Sequence, residues 1–318
     1  MDPHAPPLRL FLVGGTGFIG RQLTRLLLAQ GHGVAVYHRG TTGPPPPGAR
    51  AFHGSRRDQL TLKSAIGTFA PSILVDTNAY TRADTTALLG ALTDPVDCLV
   101  ILSSADVYAS YAAFLGLVPP PISPFPAATE ESPLRSTLYP YRAYATGLDD
   151  FRYDYEKIDV ETLARAHAPV PVTILRLPMV YGPGDPQRRV AHYAELLAAD
   201  PALLRVNPDE GAWRTTRGYV EDVAAAIGLA TTDPRAAGGT FNLGEPDALT
   251  EIEWIRAIGA ASGWRGQVVA DPATPPSLPA CWRVDLVADS SRLRDRLGFR
   301  EPVARTEGLR RTLAGAAP

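Results

Sequence analysis

The 318-residue sequence lacks the features that mark several large classes of protein. It has only two cysteines, Cys98 and Cys281, which lie far apart, so neither disulfides nor a zinc site are indicated. No apolar run approaches the roughly 18 residues that are needed to cross a bilayer. Residues 1–7 lack the basic and apolar regions of a signal peptide. We therefore expect a cytoplasmic protein with no bound metal and no membrane partner.

An excess of charge is also absent, because 31 Lys and Arg residues face 33 Asp and Glu residues and leave a net charge of −2. A chain with this balance creates no long-range field that would gather nucleic acid or anionic lipid. We therefore expect no nucleic-acid partner. The length and the hydrophobic content of 45% suffice for a full core in one large domain or two closely joined domains.

The sequence does contain a glycine-rich turn between a strand and a helix. Residues 8–20 read LRLFLVGGTGFIG. We expect Gly14 to let the strand turn, Gly17 to let the backbone approach a pyrophosphate, and Gly20 to let the helix at 18–30 pack on the sheet. The helix N-terminus adds unpaired N–H groups. This pattern predicts a dinucleotide site, and its expected lining is Gly14, Thr16, Gly17, Phe18, Ile19 and Gly20.

Strand-like runs alternate with helix-length stretches through the first 180 residues. The runs cover residues 9–13, 34–37, 73–76, 98–103 and 172–177. Such alternation predicts an α/β fold with a doubly wound, Rossmann-like parallel sheet. After Leu177 the alternation fades, and we expect a smaller C-terminal lobe that binds the substrate. The predicted division is 1–177 for the dinucleotide domain, with a returning segment at about 218–245, and 178–318 mostly for the substrate lobe.

Two proline-rich stretches interrupt this alternation, at residues 41–48 and 117–147. Consecutive prolines cannot donate ladder hydrogen bonds, so both should be surface loops. The second stretch lies between two groups of candidate catalytic residues. It is either a lid over the substrate or an idle insertion.

The end of the second strand indicates which nicotinamide cofactor binds. An acidic residue there accepts a hydrogen bond from the ribose 2′-OH of NAD, whereas Arg accommodates the 2′-phosphate of NADP. Here the positions hold His38 and Arg39. This favours NADP, with NAD as the second choice, and Thr41 and Thr42 offer hydroxyl donors to the same phosphate. The alternative is that Arg39 stacks on the adenine or faces water.

A Tyr-Lys pair supplies candidate acid/base chemistry. Lys157 is one of only two lysines, and Tyr153 precedes it by four residues, which places both on one face of a predicted helix. A phenol beside an ammonium and an oxidised nicotinamide is a competent acid/base near neutral pH. Tyr153 is therefore the predicted acid/base. Tyr155 is the rival phenol, but a spacing of two residues puts it on another helix face, where packing would be its role.

A pair of serines ends the strand at 98–103, where α/β enzymes place their ligands. A serine hydroxyl there can hydrogen-bond the substrate oxygen. Ser104 is the predicted catalytic serine and Ser103 is the second choice.

Together these motifs resemble the extended short-chain dehydrogenase/reductase superfamily, in its NAD(P)-dependent epimerase/dehydratase branch. The resemblance covers residues 8–245 and includes GGTGFIG, SSADVY, YDYEK, LRLPMVYGPGD and FNLGE. It implies that Ser104, Tyr153 and Lys157 take the catalytic positions. It also implies that Pro178 and Val180 border the nicotinamide, and that the protein is a homodimer.

The sequence departs from the family at several positions. Dehydratases of the family carry an Asp-Glu pair after the catalytic Ser/Thr, and here Ala105 takes the first place, which argues against dehydration. Ser55 replaces the family's usual Asp near the adenine. The resemblance adds two sets of expected contacts. The further cofactor contacts are Ser55, Arg56, Ser103 and Lys157, and the substrate contacts are Asp106, Tyr108, Arg214 and Arg217.

Three functions remain open at this point. The leading one is an NADP(H)-dependent oxidoreductase acting on a ketone or secondary alcohol of a small polar substrate, sugar-like or a nucleotide sugar. The second is an epimerase with a tightly held cofactor. The third is a non-catalytic nucleotide sensor or RNA-binding protein.

Overall fold

The computed structural model describes residues 6–92 and 96–315. The strands are β1 Arg9–Val13, β2 Gly33–His38, β3 Arg50–His53, β4 Ile73–Asp76, β5 Cys98–Ser104, β6 Val172–Leu177, β7 Met179–Tyr181, β8 Leu203–Val206, β9 Arg217–Tyr219, β10 Thr240–Asn242 and β11 Gln267–Ala270. The helices are α1 Phe18–Ala29, α2 Gln59–Phe69, α3 Arg82–Ala91, α4 Ala109–Phe114, α5 Lys157–His167, α6 Arg189–Ala199, α7 Pro208–Ala212, α8 Val220–Thr232, α9 Glu251–Ser262, α10 Ser291–Leu297 and α11 Arg305–Gly315.

Seven strands form one parallel sheet in the order β10-β6-β5-β4-β1-β2-β3. The strand order reverses between β1 and β4, and the crevice at the carboxyl ends of these strands is where open α/β sheets bind ligands. The predicted Rossmann-like α/β fold is confirmed. The two remaining strand pairs, β11-β8 and β7-β9, lie outside this sheet.

Both faces of the main sheet are buried, as a parallel sheet requires. In β1, Leu10 and Leu12 enter one hydrophobic cluster, whereas Phe11 and Val13 enter the cluster on the other face. The helices α1 and α8 cover the first face, and α2, α3 and α5 cover the second. The core therefore holds the sheet rigid and leaves its carboxyl edge to carry the site.

Part of the chain after β6 returns to the main sheet. The helix α8 packs on α1, and β10 extends the main sheet beside β6. The helix α9 begins with a capping box between Thr250 and Glu253 and ends at Gly263, whose φ of 81° suits glycine. The division into two lobes stays a prediction. No helix within 6–92 and 96–315 is long and apolar enough to cross a bilayer.

Candidate active site

The glycine turn has the backbone geometry that its sequence predicts. Gly14 has a φ of 97°, and a Cβ atom there would lie 2.5 Å from Thr77 Oγ1. A Cβ atom on Gly20 would collide with the carbonyl oxygen of Gly14, so glycine lets α1 pack against the turn. A Cβ atom on Gly17 would meet nothing within 4 Å. The space beside Gly17 is therefore free for a phosphate group.

The N-terminus of α1 points into this free space without a side-chain cap, since its N-cap residue is Gly17. Phe18 and Ile19 are half-buried and pack against the core. Thr16 is buried, and its hydroxyl lies 2.6 Å from the hydroxyl of Thr42. Uncapped N–H groups and two hydroxyls fit the oxygen atoms of a dinucleotide phosphate.

The end of β2 carries no acid. Arg39 is exposed, and its side chain has no hydrogen bond or ion pair with the part of the chain that the structure describes. Its main-chain carbonyl lies 3.0 Å from His53 Nε2, and His38 accepts a hydrogen bond from the Gly40 N–H through Nδ1. The exposed guanidinium therefore remains available to an anion.

Arg56 follows β3, and its guanidinium reaches the carboxyl end of β4, where protein groups bind it. Its guanidinium donates to both oxygens of Asp76, donates to Asn78 Oδ1 at 2.8 Å, and lies 3.5 Å from Asp84 Oδ1. The predicted cofactor contact of Arg56 therefore competes with three existing partners. Ser55 is exposed, and its carbonyl oxygen accepts a hydrogen bond from Tyr37.

The Ser104 side chain ends β5 and meets a buried carboxylate and a phenol. Its Oγ accepts a hydrogen bond from the Asp106 N–H at 3.2 Å, and the Ser104 hydroxyl lies near enough to Tyr155 to oppose the rise in the pKa of the phenol. The Tyr155 hydroxyl also donates to Asp106 Oδ2 at 2.8 Å, and the Tyr141 hydroxyl donates to the same oxygen at 3.1 Å. Sequence reasoning missed Tyr141, because it lies on the long loop far from the motifs.

Burial changes the acidity of this cluster. Burial and the neighbouring carboxylate of Asp106 raise the pKa of Tyr155 well above its usual range. Burial likewise raises the pKa of Asp106, although the positive charges of Arg135 and Lys157 oppose this. Both groups are therefore biased toward their protonated forms.

Lys157 connects this cluster to the glycine turn. Its Nζ donates to the carbonyl oxygen of Ala79 at 2.6 Å and to that of Leu102 at 2.9 Å. Ala79 follows Asn78, whose side chain lies against Gly14. An ammonium group has three donors, so one remains for a ligand. Burial lowers the pKa of Lys157 to about 8.

The predicted helical arrangement of Tyr153 is wrong. The helix α5 begins only at Lys157, so Tyr153 lies outside it and shares no helix face with the lysine. The Tyr153 ring is half-buried, and the Arg142 guanidinium carbon lies 4.6 Å from its centroid. Tyr155, for which the sequence predicts packing on another helix face, instead donates its hydroxyl to Asp106, which binds Ser104 through its N–H.

The start of α5 is fixed by a buried ion pair. Arg135 and Glu156 are both fully buried, and the two Nη groups of Arg135 donate to the carboxylate at 2.8 and 2.5 Å. Glu156 also accepts from the N–H of Ile158 and of Tyr139. Glu156 is thus the N-cap residue of α5 and the anchor of the loop at 117–147. This loop brings Arg135 and Tyr141 to the cluster, and its role as a lid stays a prediction.

Ser103 and Tyr108 belong to a buried network behind the site. Ser103 donates to Glu161, and the Tyr108 hydroxyl donates to Asn242 Oδ1 at 2.6 Å and accepts from Arg176 at 3.0 Å. Arg176 also pairs with Glu161 at 2.7 Å. Ser103 and Tyr108, which are both predicted site residues, therefore already have hydrogen-bond partners within the protein.

The two arginines among the predicted substrate contacts are also paired. Arg214 is exposed and donates to the carbonyl oxygen of Ala248. Arg217 is buried and pairs with Glu251, with its guanidinium carbon 4.5 Å from the Trp254 ring centroid. The structure therefore turns Arg217 toward α9 rather than toward the cluster around Ser104.

The remaining predicted contacts lie on the segment after β6. Pro178 packs against Gly218 and Gly244, and Val180 is buried with its carbonyl oxygen accepting from Arg189 at 3.0 Å. Their role beside the nicotinamide stays a prediction. Within the described residues, no group of three His, Cys, Asp or Glu side chains is placed to hold a metal ion.

The chain is similar in sequence to known proteins. The sequence model of the NAD dependent epimerase/dehydratase family matches residues 10–244. The 2'-dehydrokanamycin reductase of Streptomyces kanamyceticus is 26% identical over 302 residues, which cover 92% of this chain and 76% of the reductase. The chloroplast stem-loop binding protein of 41 kDa b of Arabidopsis thaliana is 23% identical over 270 residues, which cover 80% of this chain and 64% of that protein.

A solved structure shows the same architecture. The UDP-glucose 4-epimerase of Thermus thermophilus, crystallised as a complex with NAD, is similar with a TM-score of 0.71 and 25% sequence identity. The match covers 97% of this chain and 98% of the epimerase.

Proposed function

The chain belongs to the NAD-dependent epimerase/dehydratase family of enzymes, as its motifs indicated, and from this membership we propose that it is an NADP(H)-dependent reductase of a ketone on a sugar-like substrate. The observation that carries the proposal is that Ser104 and Tyr155 both bind Asp106 at the carboxyl end of β5, with Lys157 Nζ 6.0 Å from the Tyr155 ring centroid. Lys157 joins this cluster to the glycine turn through the chain segment that contains Asn78 and Ala79.

The cofactor preference rests on the end of β2. Arg39 is exposed and lies where an acid would select NAD, so its guanidinium suits the 2′-phosphate of NADP. The free space at Gly17 and the uncapped N-terminus of α1 suit the pyrophosphate. When bound, the reduced nicotinamide supplies a hydride to the substrate.

The side chains of the site bind the substrate carbonyl, transfer the proton and bind the cofactor ribose. The Ser104 hydroxyl hydrogen-bonds the substrate carbonyl oxygen, and Tyr155 gives that oxygen a proton as charge develops on it. The third N–H of Lys157 holds a ribose hydroxyl of the cofactor. In this proposal Tyr155 takes the role that sequence spacing predicted for Tyr153, because Tyr155 has the contacts that the chemistry needs.

A matched pair of variants tests the assignment. We expect Tyr155→Phe to lower kcat for NADPH-dependent ketone reduction by about 10²-fold or more, since it removes the acid. Tyr153→Phe should keep the wild-type rate. The first ketone to try is 2'-dehydrokanamycin, the substrate named for a relative. NADPH consumption is followed by absorbance, and loss of activity in Tyr153→Phe alone would overturn the choice of phenol.

An epimerase is the second candidate, because the fold matches that of a UDP-glucose 4-epimerase. An epimerase shows no net cofactor turnover and retains nucleotide during purification, so mass spectrometry of the purified protein separates the two functions. The RNA-binding alternative has a relative in its favour, but the cluster at Ser104 offers it no role. A homodimer and a cytoplasmic location stay predictions.

A further inference from the structure

The carboxyl group of Asp106 lies inside the cluster and takes part in none of the steps above. Asp106 follows β5 in the short 3-10 turn Ala105–Val107, and only 3% of its surface is exposed. Its N–H donates to Ser104 Oγ, so the carboxyl group and the serine hydroxyl are held by the same turn.

The two oxygens of this carboxyl group have unequal surroundings. Oδ2 accepts the hydroxyl protons of both Tyr155 and Tyr141. Oδ1 is buried and has no hydrogen-bond partner among the described residues. An ionised carboxylate oxygen that is buried without a partner costs more free energy than a neutral carbonyl oxygen in the same place. This environment therefore suits a carboxyl group that holds a proton.

The charged groups around Asp106 leave it without an ion pair of its own. Arg135 donates Nε to the main-chain carbonyl oxygen of Asp106, but its two Nη groups bind Glu156. Lys157 directs Nζ to two main-chain carbonyl oxygens. The other polar groups that face Asp106 are uncharged hydroxyls, on Ser104, Tyr111, Tyr141 and Tyr155. Burial consequently outweighs the cations and raises the pKa of Asp106.

The hydrogen bonds of Tyr155 depend on whether Asp106 holds a proton. When Asp106 is ionised, Tyr155 donates its hydroxyl proton to Oδ2 across the 2.8 Å between the two oxygens. When Oδ2 carries a proton, it can donate to the phenol oxygen. The Tyr155 O–H is then free to point at a substrate carbonyl.

We propose that Asp106 supplies the proton that Tyr155 delivers to the substrate, so that ketone reduction requires the protonated form of Asp106. The proposal rests on the reductase function argued above. In one turnover the carbonyl carbon gains the hydride, the carbonyl oxygen gains the Tyr155 proton, and the Tyr155 oxygen gains the Asp106 proton. The Asp106 carboxylate that remains regains a proton from water through the half-buried Tyr141. Asp106 does not touch the substrate itself, and it acts on the substrate only through Tyr155.

The protonation state can be tested without a substrate. We expect the infrared spectrum of the protein, below the pH at which Asp106 ionises, to contain a carboxylic acid C=O band that is missing in Asp106→Asn. Asp222→Asn is the matched control, since it removes a different buried carboxyl group far along the chain and should keep the band of Asp106. If the difference spectrum of wild type and Asp106→Asn lacks an acid band at every pH where the protein folds, the proposal is overturned.

The pH dependence of turnover is the second test. We expect kcat for NADPH-dependent reduction of 2'-dehydrokanamycin to fall as Asp106 ionises, and Asp106→Asn to be slower by on the order of tenfold at low pH without that fall. Tyr141→Phe should move the fall to higher pH, because the carboxylate loses a donor that stabilises its charge. An unchanged profile in both variants contradicts the proposal. Absence of any turnover in the wild type contradicts the reductase function alone, and the infrared test still decides on Asp106.

Discussion

At the scale of a single residue, Arg39 is the basis of the proposed preference for NADP. Its side chain is exposed and, within the described chain, has no acid to bind, so we expect it to contact the 2′-phosphate of NADP. Hydrogen bonds to charged groups contribute about 1.5–3 kcal/mol. Arg39→Ala should therefore weaken NADPH binding by roughly tenfold to a hundredfold and leave NADH binding unchanged, as measured by calorimetric titration.

Arg50 provides the control for this measurement. It is also exposed, on the neighbouring strand β3, where its guanidinium carbon lies 5.0 Å from the Phe52 ring centroid. Arg50→Ala should leave the affinity for both cofactors unchanged. Equal losses in the two variants would mean that general positive charge, rather than a contact of Arg39, attracts the cofactor.

The site residues could be predicted from the sequence to different degrees, as Ser104, Tyr153 and Tyr155 show. Ser104 could be placed from the sequence, because it ends a strand whose burial on both faces is visible as an apolar run. Helical spacing predicts Tyr153, and that spacing applies only inside a helix. The helix begins at Lys157 because Arg135 holds Glu156 from 21 residues away. A contact between residues so far apart in the chain produces no local sequence pattern, so the start of this helix could not be predicted from the sequence.

At the scale of elements, the ion pair of Arg135 and Glu156 joins the long loop to α5. Both side chains are fully buried. Removing one partner leaves an unpaired buried charge, which typically costs about 3–5 kcal/mol. We expect Arg135→Ala to lower the free energy of unfolding by that amount in urea titrations. The exposed pair of Arg142 and Asp154 is the control, and Arg142→Ala should cost about 1 kcal/mol or less.

The start of α8 carries a pH-dependent carboxyl group. Burial, together with the negative charges of Glu301 and Glu245, raises the pKa of Asp222 to about 7. Because the folded state then binds this proton more tightly than the unfolded state, ionisation of Asp222 lowers stability as the pH rises from about 4 to about 7. Asp222→Asn keeps an acceptor for the Val303 N–H. It should raise Tm at pH 8 and show no gain near pH 4.

A constant difference in Tm between Asp222→Asn and wild type at every pH would contradict this explanation. The effect would then come from packing, which does not titrate. Melting curves followed by circular dichroism across the same pH range make the comparison.

The elements themselves were predictable to different degrees. The strand β4 is buried at all four positions, and its run of apolar residues identified it. The strand β3 lies at the edge of the sheet and has no fully buried position, so no apolar pattern marks it in the sequence. The position of Tyr141 in the site could not be read from sequence at all, because the long proline-rich loop that carries it has no periodicity.

At the scale of the whole molecule, the dinucleotide should link binding to global stability. A ligand that binds only the folded state stabilises it by about 2.7 kcal/mol when its concentration is 100 times its Kd. We therefore expect saturating NADPH to raise Tm by a few degrees. This shift reports the whole cofactor site, independently of the substrate and of the catalytic phenol.

Alanine variants at two glycines of the turn distinguish an effect on NADPH binding from an effect on folding in that measurement. A Cβ atom on Gly17 meets nothing within 4 Å, and the φ of −76° there is open to alanine, so Gly17→Ala should fold with the wild-type Tm. It should lose most of the NADPH-induced shift, because the new methyl group fills the space that the pyrophosphate needs. Gly20→Ala places its Cβ atom against the carbonyl oxygen of Gly14, so its Tm should fall even without ligand. An NADPH shift in Gly17→Ala equal to that of the wild type would show that the dinucleotide does not bind at this turn.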